Sequence, residues 1–170
     1  QKNIWIGTGN GLYRMREKED KISFEKIPLR TEPADTLPDK FVNAMVSDYK
    51  GNLWVGTYNG LFRLTVAPDA VTTTGWFSVI NNRLSDRVVH SLTVDRNDDL
   101  WVGGKFGLDI LVNNAERTVF LKPQDGMASE LVSALFAASD GDVWIGYNDK
   151  GVQVVRAEHV QAANRNPVFE

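Results

Sequence analysis

His90 and His159 are the only imidazoles in the chain, and 69 residues separate them. A transition-metal or hydrolytic centre needs such groups clustered, or joined by cysteine, and the chain has no cysteine. Thiol catalysis, disulfides and thiolate metal sites are therefore excluded, while the compartment stays open. Asp95, Asn97 and Asp99 have the opening spacing of a calcium loop, but Leu100 stands where that loop needs glycine and Phe106 where it needs glutamate. They read as an acidic hairpin turn, as does Asp140-Gly141-Asp142, and the carboxylates of such turns are expected to be solvated. No serine lies in a Gly-x-Ser-x-Gly elbow or beside a motif histidine. Gly7-Thr8-Gly9-Asn10-Gly11 is rich in glycine but leads into a strand, whereas a phosphate cradle opens a helix. No catalytic residue, metal or cofactor is expected.

Composition narrows the partners. The net charge is −3, and the lysines and arginines are scattered, which gives no stripe to track a phosphate backbone. No nucleic acid is expected. No apolar run approaches the roughly 20 residues that span a bilayer, so no membrane contact is expected within these residues. Gln1 already stands inside a repeat unit, which reads as a chain cut from something longer.

The elements that would position any site come from an internal repeat. Trp5-Ile6-Gly7-Thr8, Trp54-Val55-Gly56-Thr57, Trp101-Val102-Gly103-Gly104 and Trp144-Ile145-Gly146-Tyr147 align, with tryptophans 49, 47 and 43 residues apart. Val42, Val89 and Val132 each stand 12 residues before a tryptophan and open a short apolar strand. Turns such as Asp48-Tyr49-Lys50-Gly51-Asn52 follow, with residues that tolerate positive φ. Further strands are expected at Trp76-Phe77-Ser78-Val79-Ile80 and Thr118-Val119-Phe120-Leu121. Four short strands per unit at this period predict an all-β chain of β-propeller blades. A β-sandwich would not place Trp-Ile/Val-Gly at one fixed point of each unit. About four blades are expected, the first and last incomplete: residues 1–38 without a leading strand, 39–83, 84–126 and 127–170, whose final strand falls near Pro167-Val168-Phe169.

Each repeated residue has a physical task. Trp5, Trp54, Trp101 and Trp144 have the area to fill the wedge between twisted blades. Gly7, Gly56, Gly103 and Gly146 remove a side chain where neighbouring backbones or rings crowd. Gly11, Gly60, Gly107 and Gly151 stand where the chain turns back, at an expected positive φ.

Leu53-Trp54-Val55-Gly56-Thr57-Tyr58-Asn59-Gly60-Leu61-Phe62-Arg63 resembles the two-component regulator propeller repeat, and all four units carry versions of it. The resemblance implies the periplasmic or extracellular sensor region of a bacterial inner-membrane receptor. In such receptors a three-tyrosine β-sandwich domain, a membrane helix and a kinase or diguanylate cyclase output usually follow. It implies a non-catalytic module that senses a ligand.

In a propeller, the loop between the second and third strands and the loop leading into each inner strand share one mouth. The first set offers Asn10, Tyr58, Asn59, Lys105, Phe106, Tyr147, Asn148 and Lys150; the second offers Lys40, Arg87 and Glu130, with Asn43 and His90 just inside. Tyr58, Asn59, Lys105, Phe106, Tyr147, Asn148, His90, Arg87 and Asn43 are the candidate ligand contacts. Aromatic, amide and cationic groups together suit a small molecule or glycan. His159 lies in a polar stretch and is expected to be exposed. Two other readings stand beside the sensor. One is a dimerisation scaffold that self-associates through open blade edges. The other is a propeller lyase, which would need a histidine and carboxylate set that two isolated histidines supply poorly.

Overall fold

The computed structural model describes residues 3–30, 41–112, 115–160 and 168–169. These form four antiparallel sheets in which consecutive strands are always neighbours. The first sheet has three strands, β1 (Ile4–Thr8), β2 (Gly11–Lys18) and β3 (Lys21–Ile27). The second has four, β4 (Val42–Ser47), β5 (Asn52–Thr57), β6 (Gly60–Val66) and β7 (Val71–Phe77). The third also has four, β8 (Ser91–Val94), β9 (Leu100–Gly103), β10 (Leu108–Val112) and β11 (Arg117–Leu121). The fourth has β12 (Val132–Ala137), β13 (Val143–Tyr147) and β14 (Gly151–Val155), and Phe169 bridges to Val155 at its outer edge. A one-turn helix, α1 (Ala157–Val160), follows β14. The sheets are propeller blades, numbered 1 to 4 in chain order.

Two boundaries differ from those read in the sequence. Strand β7 begins at Val71, ahead of the stretch expected, and residues 78–80 turn away instead, held by Asn81 Oδ1 on the Ser78 N–H at 2.9 Å. Strand β8 begins at Ser91, because the Val89 N–H leaves its own sheet to bond the Thr57 carbonyl of blade 2 at 2.9 Å.

The apolar core lies between blades, in three clusters. Trp5 packs partly into the cluster that joins blades 1 and 2, around Leu12, Val42, Val55 and Phe62. Trp54 anchors the cluster between blades 2 and 3, and Trp101 that between blades 3 and 4, at 2% and 1% exposure. Trp144 points to the far face of blade 4 and is 42% exposed. Burial of large apolar rings at each interface is what stacks the blades.

The glycine after each tryptophan dipeptide receives a valine of the following blade. A Cβ at Gly7 would stand 2.6 Å from Val42 Cγ1, and one at Gly103 would stand 2.5 Å from Val132 Cγ1. At Gly56 it would run into Val89 Cγ1. The crowding neighbour is thus one β-branched side chain, not a backbone or a ring. At Gly146 the nearest atom is Ala134 Cβ of the same blade, at 3.2 Å. The turn glycines Gly11, Gly60, Gly107 and Gly151 all have positive φ.

Four hairpin aspartates, Asp48, Asp95, Asp99 and Asp142, are buried and not solvated, contrary to expectation, while Asp140 is exposed as expected. Asp48 Oδ2 accepts the Trp54 indole N–H at 3.0 Å, and Asp95 Oδ2 accepts that of Trp101 at 3.0 Å. Asp95 Oδ1 also accepts the N–H groups of Asn97 and Asp99 at 2.8 and 3.1 Å. Each carboxylate closes its turn and satisfies a buried indole, so the turns of blades 2 and 3 are tied to their interfaces. Blade 4 has Ala138 six residues before Trp144, where blades 2 and 3 have these aspartates.

Candidate functional site

One mouth of the blade stack is built by backbone bonds that cross from blade to blade. The Gly60 N–H of blade 2 donates to the Arg87 carbonyl at 2.8 Å, and Gly107 of blade 3 donates to the Glu130 carbonyl at 3.1 Å. The loop between the second and third strands therefore lies against the loop that leads into the next inner strand.

Tyr58, Arg87, Val88, His90 and Lys105 line a shallow cleft of ≈ 390 Å³ at the junction of blades 2 and 3. Tyr58 comes from the β5–β6 loop, Lys105 from the β9–β10 loop, and Arg87, Val88 and His90 from the segment leading into β8. The Tyr58 ring is stacked on Phe41, with centroids 4.7 Å apart and planes 5° from parallel. Asn59 sits under this loop, 4% exposed, and its Oδ1 accepts the Arg87 Nε–H at 2.8 Å. That donor fixes the amide orientation, since a flipped amide would set N–H against N–H. Asn59 Nδ2 is buried and meets no acceptor.

Asp86 shapes the floor. It is buried, its Oδ1 accepts the Val88 N–H at 3.0 Å, and its Oδ2 accepts the Lys105 N–H at 2.5 Å. Gly104 has no Cβ because Asp86 Cβ would lie 2.8 Å away. Asp86 was missed in the sequence, where a single aspartate before Arg87 carries no signal. Asp109 on β10 is also buried. The Ser85 N–H donates to its Oδ2 at 2.8 Å, while its Oδ1 is unpartnered. Burial pushes its carboxyl up to about 6, assisted by the charge of Asp86 and opposed by the Ser85 bond and Lys122.

The remaining candidates fall elsewhere. Asn43 sits at a bulge in the β4–β5 ladder and spends its Nδ2 on the Val89 carbonyl at 2.9 Å, which ties blade 2 to blade 3. Ser133 occupies the matching bulge in blade 4, with its hydroxyl on the Gly146 carbonyl at 3.1 Å. His90 has the same place in blade 3, and among the described residues its ring makes no hydrogen bond. Phe106 is exposed beside Lys105 but lies outside the cleft lining. Tyr147 is not a loop aromatic: it ends β13, is buried in the core, and donates its hydroxyl to Gln153 Oε1 at 2.7 Å. Burial pushes its phenol up to about 12. Asn148 donates its backbone N–H to the Leu131 carbonyl at 3.1 Å, at the blade 4 mouth and away from the cleft. Lys40 lies outside the described residues. His159 is half-buried in α1 rather than exposed, with a buried Nδ1. Among the described residues no three His, Cys, Asp or Glu side chains converge as metal ligands.

The family model described as "Two component regulator propeller" matches residues 36–59 and 83–106. Blades 2 and 3 thus each contain one stretch that matches the two-component regulator propeller repeat. Both matched stretches run through an inner strand, its aspartate turn and the Trp-Val-Gly strand, in blades 2 and 3. Among solved structures, these repeats are similar to the extracellular domain of BT4673 from B. thetaiotaomicron, described as a one-component or hybrid two-component system. That match has 25% identity and a TM-score of 0.70, and covers 89% of this chain and 20% of that one. The extracellular domain of the hybrid two-component system BT3049 from the same organism matches at 19% identity and a TM-score of 0.76, over 99% and 21% of the two chains. Virginiamycin B lyase from Staphylococcus aureus shares the fold at 16% identity and a TM-score of 0.62, over 92% and 49%. The chain spans about a fifth of the length of these two extracellular domains. No curated protein sequence matches it. Among the described residues no helix is long and apolar enough to cross a membrane.

Proposed function

We propose that these blades belong to the periplasmic or extracellular sensor propeller of a bacterial transmembrane signalling receptor. In this reading the junction of blades 2 and 3 binds a small ligand and biases a kinase or cyclase output. The observation that carries it is the cleft, which gathers Tyr58, Arg87, His90 and Lys105 from two blades at one mouth. A ligand there touches both blades, so binding is coupled to how they pack. The repeat match and the likeness to receptor extracellular domains support the sensor class. The likeness to the lyase is one of fold alone, and His90 and His159 lie in different blades.

The test is a thermal-shift screen of oligosaccharides, peptides and small organic acids, with particle mass read alongside. A ligand that raises the Tm by stabilising only the folded state, and that loses its effect in Tyr58→Ala, is the expected outcome. A panel without any shift would remove the ligand-binding reading.

A scaffold reading is favoured by a separate observation. Trp144, Phe136 and Val152 are exposed together on the far face of blade 4, and Ile4, Ile22 and Phe24 on that of blade 1. Apolar faces of this kind suit another blade or a second copy. Particles larger than a monomer, with no ligand shift, would favour that reading.

A further inference from the structure

Two loops of the chain make the same turn. Thr8-Gly9-Asn10-Gly11 joins β1 to β2, and Thr57-Tyr58-Asn59-Gly60 joins β5 to β6. In each, the threonine hydroxyl donates to the glycine carbonyl at 2.9 Å. The same hydroxyl accepts the asparagine N–H, at 3.1 Å in blade 1 and 3.0 Å in blade 2. Both glycines have positive φ, 117° for Gly11 and 102° for Gly60. Each turn thus sets an asparagine amide next to the main-chain nitrogen of a residue with no side chain to shield it.

Such an amide can react with its own backbone. The glycine nitrogen attacks the asparagine Cγ, a nitrogen–Cγ bond forms and the Cγ–Nδ2 bond breaks. Nδ2 leaves as ammonia, taking up the proton that the glycine nitrogen loses. Water then opens the five-membered imide at either carbonyl, which gives aspartate or isoaspartate. Ring closure within one chain makes the attack unimolecular. It still needs an amide free to turn, a base that can reach the glycine N–H, and water.

The fold meets these needs at one turn and denies them at the other. Asn59 is 4% exposed. Its Oδ1 accepts the Arg87 Nε–H at 2.8 Å, and the Gly60 N–H donates to the Arg87 carbonyl at 2.8 Å. One residue of the next blade therefore grips both reacting groups, away from solvent base. Asn10 is exposed, and among the described residues its side chain bonds Lys26 alone, whose exposed Nζ donates to Oδ1 at 3.1 Å. That ammonium is a loose tether, and it stabilises the negative charge that grows on Oδ1 during the attack. Gly11 and Lys26 also line a cavity of ≈ 430 Å³, which brings water to the glycine from the side.

We propose that Asn10 is a self-modifying site that deamidates through attack by Gly11, while Asn59 in the same turn is protected by burial and by Arg87. The product adds one negative charge beside Lys26. As isoaspartate it also lengthens the main chain by one methylene at the hairpin end, where Thr8 pairs with Gly11.

The experiment holds the 170-residue chain at neutral pH and samples it over days, folded and in urea. Tryptic peptides 3–14 and 51–63 carry the two asparagines, and fragment masses locate the amide that has become an acid. In the folded chain Asn10 is expected to convert at least about tenfold faster than Asn59, which must wait for local opening. In urea the two should convert at similar rates. Wild type should gain an acidic form on ion exchange that Asn10→Gln does not gain. An Asn10 that stays intact in the folded chain while the urea sample reacts would overturn the proposal. Conversion of Asn59 as fast as Asn10 in the folded chain would overturn it too, as would protection of Asn59 that persists in urea.

Discussion

At the scale of single residues, two positions test the geometry of the turns. Gly60 has φ 102°, and a Cβ there would meet the Phe77 carbonyl; Gly151 has φ 75° with nothing within 4 Å. Gly60→Ala should therefore cost about 2 kcal/mol or more, and Gly151→Ala about 1, the strain of positive φ alone. Equal shifts in denaturant midpoint would refute the difference. Asp95→Ala removes both carboxylate oxygens, which together accept these three hydrogen bonds, and leaves the Trp101 indole N–H buried without a partner. A loss of about 3 kcal/mol is expected in urea unfolding. The aspartate was visible in the sequence, but its role was not. Acidic turns are common, and only its fixed place six residues before both Trp54 and Trp101 distinguishes it. Asp109 gives a pH signature. Its folded-state pKa, about 6, lies above the ordinary 3.8, so the fold prefers the neutral acid. The stability it supplies is present below pH 3.8 and is lost as pH rises towards 6. Asp109→Asn should remove that dependence and stabilise the chain at neutral pH by about 3 kcal/mol at most. A flat difference between wild type and variant across this range would contradict it.

At the scale of elements, the valine-into-glycine contact is the joint between blades. Gly56→Ala should cost about 1–3 kcal/mol by overpacking, and Val89→Ala about 2 by leaving a cavity. The double variant should cost less than the sum, because the new methyl occupies the space the valine leaves. Additive losses in a double-mutant cycle would mean that the two do not share that space. Both partners were legible as repeated residues, since Val89 and Gly56 recur at fixed distances from tryptophan. Their meeting was not, because the contact joins consecutive repeats and a single unit does not contain it. The same reason explains the cleft. Tyr58, Arg87, His90 and Lys105 were selected from loop topology and line one cleft, while Tyr147 was selected by the same rule and lies in the core. Blade 4 carries an extra loop residue, and Tyr147 ends its strand where blade 2 has Thr57. A side chain at a strand end follows the alternation of the strand, whatever the loop beyond it does.

For the whole molecule, the far faces of blades 1 and 4 each expose a group of apolar residues, Ile4, Ile22 and Phe24 on the one and Phe136, Trp144 and Val152 on the other, while the clusters between blades are buried. Phe136→Lys, on the far face of blade 4, should raise the monomer fraction in light scattering without changing ligand affinity at the junction of blades 2 and 3. An unchanged mass distribution would show that this face does not drive association. The four repeat tryptophans also differ in a way that can be read optically. Trp54 and Trp101 are sealed and bonded to aspartates, whereas Trp144 is open to water. The chain therefore carries its own fluorophore at its uncovered end. Acrylamide would quench Trp144 first, and whatever comes to lie on blade 4 would shield it and shift its emission to the blue, so covering of that face could be followed in real time without any label.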